Sequence, residues 1–338
     1  MRRFVDLCQA CGECVLVCPT VPLTKAGDLE PTDLQQKVRD FLAGEGPADA
    51  AVHARAFSCL ECVACITDVC PEELDPMAVN QAVMGRWPEP PPEAVSPPMR
   101  QSVRVRAPTV LFTGCNIYHQ PDLVANLTGI MESATGGDWA LLPGGELCCG
   151  NDRLVVGDVA GMAAKLEDLI DALIGTEAET VVVWCTACLL VFRTLVEPVL
   201  KPPFRVQSFT GYLAGRLDGL EWKRRIDQEI TIHEPCRSGH QGWDGTAVRD
   251  ILSAVPGVRV LDMPRHGKDA SCCGNNAMKR GFAAGATIRD ARYAEADATG
   301  ASTLATVCHR CHQVLSEIQT DDGPAVRNIL SIMAEALD

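Results

Sequence analysis

From Pro108 onward, short apolar runs rich in β-branched residues alternate with stretches of helical periodicity. Thr109-Val110-Leu111-Phe112-Thr113, Thr180-Val181-Val182-Val183, Ile230-Thr231-Ile232-His233 and Thr303-Leu304-Ala305-Thr306-Val307 each predict a short, buried strand. Between them, Met162, Leu166, Leu169, Ile170 and Leu173 place an apolar stripe along one helix. Phe282, Ala286, Ile288, Ala291 and Tyr293 place a poorer one along its counterpart. Strands that alternate with helices predict an α/β arrangement.

The same stretch repeats itself. Gly114-Cys115 after the first strand is answered by Glu234-Pro235-Cys236, Cys148-Cys149-Gly150-Asn151 by Cys272-Cys273-Gly274-Asn275, and Cys185 by Cys308. The spacing between paired landmarks is nearly constant, which predicts a duplication. Cys115, Cys185, Cys236 and Cys308 all follow the ends of predicted strands, where open α/β sheets place their ligands.

Ahead of the repeats the pattern is helical. Pro31-Thr32-Asp33 reads as a helix start, with Leu34, Val38, Phe41 and Leu42 on one face. Shorter helices are predicted from Ala48 to Phe57 and from Pro76 to Trp87, and this insert is expected to be core. Pro88, Pro90, Pro91, Pro92, Pro97, Pro98 and Pro108 then exclude both helix and central strand. The expected class is α+β overall: a helical unit over 1–84, a proline-rich linker over 85–108, and α/β repeats over 109–228 and 229–338.

Composition changes this picture little. Apolar residues make up 47% of 338, enough for two or three domains with real cores. The net charge of −14 argues against binding a phosphate backbone, so no nucleic-acid partner is expected. The most apolar run, Val181 to Phe192, is too short to span a bilayer. No signal-like stretch precedes Cys8, and the expected location is cytoplasmic, or peripheral at the inner face of a membrane through a partner.

The cysteines change it a great deal. All eighteen fall into patterned groups. Cys8, Cys11, Cys14 and Cys18 read C-x2-C-x2-C-x3-C-P, and Cys59, Cys62, Cys65 and Cys70 read C-x2-C-x2-C-x4-C-P. In such runs three thiolates wrap one [4Fe–4S] cubane and the fourth crosses to the other. Cys8, Cys11, Cys14 and Cys70 are therefore assigned to one cubane, and Cys59, Cys62, Cys65 and Cys18 to the second. Structural zinc is the competing reading, but zinc sites pair two C-x-x-C knuckles rather than run three cysteines together. The resemblance is to two-cluster ferredoxin domains of the α-helical kind. The spacing from Cys65 to Cys70 is one residue longer than the usual pattern.

Each repeat carries C…C-C-G…C-x2-C. Adjacent cysteines cannot easily share one small tetrahedral ion but can share a larger, open cluster. Gly150 and Gly274 would free the backbone beside them. Each closing C-x-x-C is expected to open a helix, whose N–H groups favour thiolates. Here the sequence resembles the cysteine-rich C-C-G family, which includes components of heterodisulfide reductases and the iron–sulfur subunits of several dehydrogenases. The order of parts is similar to the fused, C–B type of heterodisulfide reductase chain. The resemblance implies two non-cubane [4Fe–4S] clusters facing each other across a disulfide. Cys115, Cys148, Cys149, Cys185 and Cys188 would hold one; Cys236, Cys272, Cys273, Cys308 and Cys311 would hold the other.

That resemblance implies an oxidoreductase subunit that passes electrons from the cubanes to the paired clusters, where a disulfide is reduced or formed. Cys149 and Cys273 are the catalytic candidates among the ligands. His309 and His312, flanking Cys311, are candidate proton donors. Arg237 and Arg310 could hold an anionic substrate or balance cluster charge. Cys308-His309-Arg310-Cys311-His312 also matches a haem attachment motif, but Leu189 replaces the histidine in the first repeat. No G-x-G-x-x-G follows a predicted strand, so electrons are expected from a partner, a flavoprotein or a membrane cytochrome subunit. The disulfide would be a small molecule or a protein. The alternative is an electron relay between a flavin dehydrogenase or electron-transfer flavoprotein and a quinone module, with no substrate of its own.

Overall fold

The structure, a computed structural model, describes residues 2–66, 69–87, 105–144 and 147–338. Residues 88–104, most of the expected linker, lie outside the described residues, as do Thr67 and Asp68 within the long Cys65–Cys70 spacing. The chain divides into two compact units. The first comprises Met1–Val95, Asp152–Met162 and Ser271–Arg292; the second comprises Ser96–Asn151, Ala163–Ala270 and Tyr293–Asp338.

The first unit is helical. Helix α1 (Pro31–Ala43) begins where proline at its first turn costs no hydrogen bond and ends on Gly44 in the left-handed region. Helix α2 (Ala50–Phe57) starts two residues later than its apolar pattern suggests. Asp49 stands at its N-cap and accepts from the amides of Ala51 and Val52 at 3.0 and 2.9 Å. Helix α3 (Pro76–Arg86) is capped in the same way by Asp75. Val38, Leu42, Val52, Val83 and Met84 close one small core, and Val15, Val21, Leu34 and Ala54 another. The segments Asp152–Met162 and Ser271–Arg292 are held by polar contacts as well. Arg280 donates to the Val155 carbonyl at 2.7 Å, and Asn276 donates to the Leu60 carbonyl at 3.1 Å.

The second unit contains both sheets. Strands β1 (Thr109–Phe112), β2 (Ala140–Leu142), β3 (Thr180–Val183) and β4 (Arg205–Ser208) form one sheet in the order β2-β1-β3-β4, every pair parallel. Strands β5 (Gln228–His233), β6 (Val258–Leu261), β7 (Thr303–Thr306) and β8 (Ala325–Asn328) form the other in the order β6-β5-β7-β8, again parallel throughout. The register repeats too: Phe112 pairs with Val183, and His233 with Thr306. Central strands of such sheets are covered on both faces, which explains the unbroken burial of β3 and β7. In each sheet the strand order reverses between the two central strands, so the crevice at their C-terminal ends is the natural ligand position.

One hydrophobic core serves both repeats, drawing Leu111, Val182, Ile230, Ile232 and Ala305 from four strands. Helix α4 (Pro121–Thr135) of the first repeat packs on α5 (Ile329–Leu337) of the second, through Leu127, Ile130, Ile332 and Met333. Helix α6 (Phe209–Ala214) of the first packs on α7 (Ala247–Ala254) of the second. Each repeat thus sets two helices against two of the other, the matched packing expected of a duplicated unit. Helices α8 (Val159–Gly175) and α9 (Ala283–Asp297) occupy equivalent places in the two repeats, as their apolar stripes predict.

Candidate functional site

In the first unit the two cysteine runs fold alike. Ala10 and Gly12 take φ of 51° and 82°, and Glu61 and Val63 take 52° and 63°. The matched positions are therefore left-handed in both runs, even where the second supplies a β-branched valine. Such a residue adopts positive φ only under constraint, at about 1–3 kcal/mol. The chain bends so that each run turns its sulfurs inward. Cys8, Cys11, Cys14 and Cys70 line one cleft with Gln35, Phe4 and Pro71. Cys18, Cys59, Cys62 and Cys65 line a second with Arg55, Glu61 and Met77. The two crossing cysteines, Cys18 and Cys70, each lie with the other run.

Amides and side chains point at these sulfurs. The Glu61 amide donates to Cys59 Sγ at 3.4 Å, and Gln35 Nε2 approaches Cys8 Sγ at 3.7 Å. Burial pushes up the thiols of Cys14, Cys59, Cys62 and Cys65, so they favour the neutral form unless a bound cation compensates. For Cys62 the next cause after burial is the charge of Cys272, a cysteine of the same unit. Asn276, four residues further on, also donates to Glu61 Oε2 at 3.2 Å. Arg55 is 2% exposed, donates to Cys18 Sγ and to the Cys14 carbonyl at 3.3 Å each, and leaves Nε without a partner. A buried guanidinium whose neighbours are thiols fits an anionic iron–sulfur cluster, because only such a group would balance its charge there.

In the second unit the first repeat gathers five sulfurs. Cys115 follows β1; Cys185 follows β3 and stands at the N-cap of α10 (Thr186–Val191). Cys115 and Cys148 share a hydrogen bond at 3.5 Å, and Cys148, Cys149, Cys188 and Cys185 each shift the thiol of the next, so the five sulfurs lie close together. Gly150 takes φ of 76° and aims its amide at Cys148 Sγ at 3.4 Å. The hydrogen bonds from Cys115 and Cys149, with that amide, bring Cys148 down to about 3, while the same contact and burial push Cys115 up. The Cys188 bond brings Cys185 to about 6 against its burial. Gly114 makes room for the gathering: a Cβ there would lie 2.8 Å from Cys185 Cβ and 3.3 Å from Cys188 Sγ. Five convergent sulfurs exceed the needs of one four-coordinate ion and suit an open cluster.

The second repeat builds the same local geometry. Gly274 also takes φ of 76°, with its amide 3.4 Å from Cys272 Sγ. Cys308 stands at the N-cap of α11 (His309–Ser316) and is lowered by the bond from Cys311, against burial. Cys236, Cys308 and Cys311 lie in the second unit, Cys272 and Cys273 in the first.

The two C-x-x-C turns meet. Thr186, which follows Cys185, helps to draw the Cys308 thiol down, and the charge of His309, which follows Cys308, bears on Cys185. His309 is buried with Nδ1 unpartnered, and its carbonyl accepts from Gln120 at 3.0 Å. Burial pushes His312 below its usual value. Arg237 is buried and donates to Asn151 Oδ1 at 3.3 Å, tying Cys236 of one repeat to the C-C-G-N of the other. Arg310 instead bonds Gln313 on its own helix at 2.7 Å.

Arg55, Gln35, Asn276 and Thr186 escape sequence reasoning. For Arg55 a signal existed: it follows Val52 by three residues and so falls on the apolar face of α2.

The cysteine-rich domain profile, CCG, matches residues 109–193 and 230–316, the two stretches that carry these sulfurs. The chain belongs to the CCG cysteine-rich domain family. Ahead of the CCG domains, a 4Fe–4S dicluster domain profile matches residues 7–75. The chain is 26% identical to the D chain of the dihydromethanophenazine:CoB–CoM heterodisulfide reductase of Methanosarcina barkeri, over 98% of this chain and 94% of that protein. It is 25% identical to the B chain of a fumarate reductase (CoM/CoB) of Methanothermobacter marburgensis, over 67% of this chain and 45% of that protein. Among solved structures, Picrophilus torridus aspartate racemase is similar over 68% of this chain and 91% of that one, at 12% identity and a TM-score of 0.30, too slight a likeness to carry an argument. The CCG chain is an iron–sulfur oxidoreductase subunit. Among its described residues no helix is long and apolar enough to cross a membrane.

Proposed function

We propose that the chain is a disulfide-reductase subunit with four clusters, organised as a dicluster domain over 1–84, a linker over 85–108, and repeats over 109–228 and 229–338. Two are cubanes, on Cys8, Cys11, Cys14 and Cys70 and on Cys18, Cys59, Cys62 and Cys65. Two are non-cubane, on Cys115, Cys148, Cys149, Cys185 and Cys188 and on Cys236, Cys272, Cys273, Cys308 and Cys311. The observation that carries the reading is the convergence of five sulfurs in the first repeat, with Cys115 bonded to Cys148 and Gly114 leaving room beside Cys185 and Cys188. The grouping of each crossing cysteine with the opposite run supports the cubane assignment.

When bound, the clusters supply electrons one at a time. Cleaving a disulfide breaks one S–S bond, takes up two electrons and two protons, and yields two thiols; the reverse forms the disulfide. The protein's part is to hold the sulfurs and deliver the protons. His309, whose charge bears on Cys185 and Cys308, is the candidate source of one, with His312 in support. Cys149 and Cys273 are the ligands on which cleavage depends. Cys11 is exposed and offers the point of entry for a redox partner, a flavoprotein or a membrane cytochrome. The charge of Cys272 bears on Cys62, which couples the second cubane's ligands to a ligand of the second repeat within the first unit.

That last coupling also favours the second reading, a relay in which one repeat alone carries current. The two readings part on mutation. Four four-iron clusters require about sixteen irons per chain. In protein so loaded, Cys149→Ser and Cys273→Ser are each expected to abolish disulfide reduction, and the double variant to be scarcely worse than either. Near-normal turnover in one single variant would reject the paired mechanism and leave the relay.

A further inference from the structure

We propose that Arg55 is a fixed cation shared by the two cubane sites, and that it makes the second of them, on Cys18, Cys59, Cys62 and Cys65, the easier to reduce. This rests on the two-cubane reading and adds to it a direction of preference. Burial sets the constraint. Arg55 is 2% exposed, and a guanidinium in that position is tolerated only beside compensating charge. Its hydrogen bonds go to Cys18 Sγ and the Cys14 carbonyl, and no carboxylate pairs with it among the described residues. The charges that favour its protonated form are those of Cys18, Cys14, Cys65 and Cys59, in that order. Three of those four cysteines belong to the second cleft, which Arg55 itself lines.

An iron–sulfur cluster becomes more negative by one charge on reduction. A permanent positive charge beside it stabilises the reduced form, and an N–H donated to a ligand sulfur acts in the same sense. Inside the protein such a charge is little screened. Arg55 donates directly to a ligand of the second cubane. To the first it presents a bond to the Cys14 carbonyl and a charge that also draws the Cys14 thiol down, but Cys14 is the one cysteine of that cleft among the four it answers to. The bias is therefore toward the second cluster. A lysine would keep the charge but lose the fork that spans Cys18 and the Cys14 carbonyl.

The test is a redox titration of the full-length, fully loaded protein, followed by electron paramagnetic resonance. The second cubane is identified as the signal that Cys65→Ser removes. In Arg55→Gln, at the potential that half-reduces this cluster in the parent protein, its reduced-to-oxidised ratio should fall roughly tenfold or more. The first cubane should move less, and Arg55→Lys should lie between parent and Arg55→Gln. Unchanged ratios for both clusters, or a larger change for the first, overturn the proposal. Should Arg55→Gln fail to load iron, the parent protein with 15N-labelled arginine decides: a nitrogen coupling on the second cluster's signal supports the contact, and its absence overturns it. A parent protein lacking two four-iron signals in this region rejects the two-cubane reading itself, and this proposal with it.

Discussion

Gly12 and Val63 occupy matched positions with the same backbone geometry and very different tolerances. A Cβ at Gly12 would lie 2.7 Å from the carbonyl carbon of Pro31, at a φ of 82° that already disfavours a side chain. Val63 has found room, being buried at 2% exposure. Gly12→Ala is expected to cost about 1–3 kcal/mol and to weaken the first cluster while sparing the second. Thermal unfolding and the loss of one paramagnetic signal check this. Thr186 offers a second test at the same scale. Its hydroxyl lowers the thiol of Cys308, a cysteine of the other repeat. Thr186→Val should cost about 1 kcal/mol and disturb the signal that Cys308→Ser abolishes rather than the one built on neighbouring Cys185. An effect confined to the Cys185 signal would contradict the crossed contact.

Helix α2 shows how an ordinary element carries an unusual residue. Asp49 caps it and pairs with Lys37 at 2.6 Å. Partial burial opposes ionisation, but the Lys37 bond and the Val52 amide hold this carboxyl below its usual 3.8. A depressed carboxylate contributes stability that is full above its unfolded value and is lost as pH falls through the folded one. Asp49→Ala should therefore cost about 1 kcal/mol near neutral pH, and the difference in Tm from the parent should shrink below pH 3.8. A gap that stayed constant into acid would assign the loss to something other than the cap. Elements of this kind were legible in outline. Pro31 and Pro76 mark helix starts where the structure has them, and the four central strands fall on their apolar runs. The edge strands were not legible. Arg205–Ser208 and Ala325–Asn328 are four residues each, with polar positions facing out, so their pattern looks like loop. Cysteine spacing announced the ligand groups because thiolate clusters demand it. Arg55 was hidden, since a buried cation makes sense only once distant thiolates are placed around it.

At the scale of the molecule the two repeats do not stand alone. Leu127, Ile130 and Met131 of α4 meet Ile332 and Met333 of α5, and Asn126 donates to Ser331 at 3.5 Å between the same helices. Phe209 and Leu213 of α6 join Ile251 and Leu252 of α7 in the same core. A chain cut after residue 228 would expose both surfaces at once. It is expected to bind a hydrophobic dye and to aggregate, although its sheet and first set of five cysteines are intact. Light scattering and dye fluorescence of the truncated form check this; a monodisperse, dye-silent fragment would show that the shared core is dispensable.

The packing of helices across the repeats also has a consequence in time. At about 5–20 residues per second, α5 leaves the ribosome some tens of seconds after α4. From the moment Cys188 is made until α5 arrives, all five thiols of the first repeat are in the chain while the face of α4 that α5 will cover stays bare. The first repeat therefore holds its complete sulfur set well before its core can close.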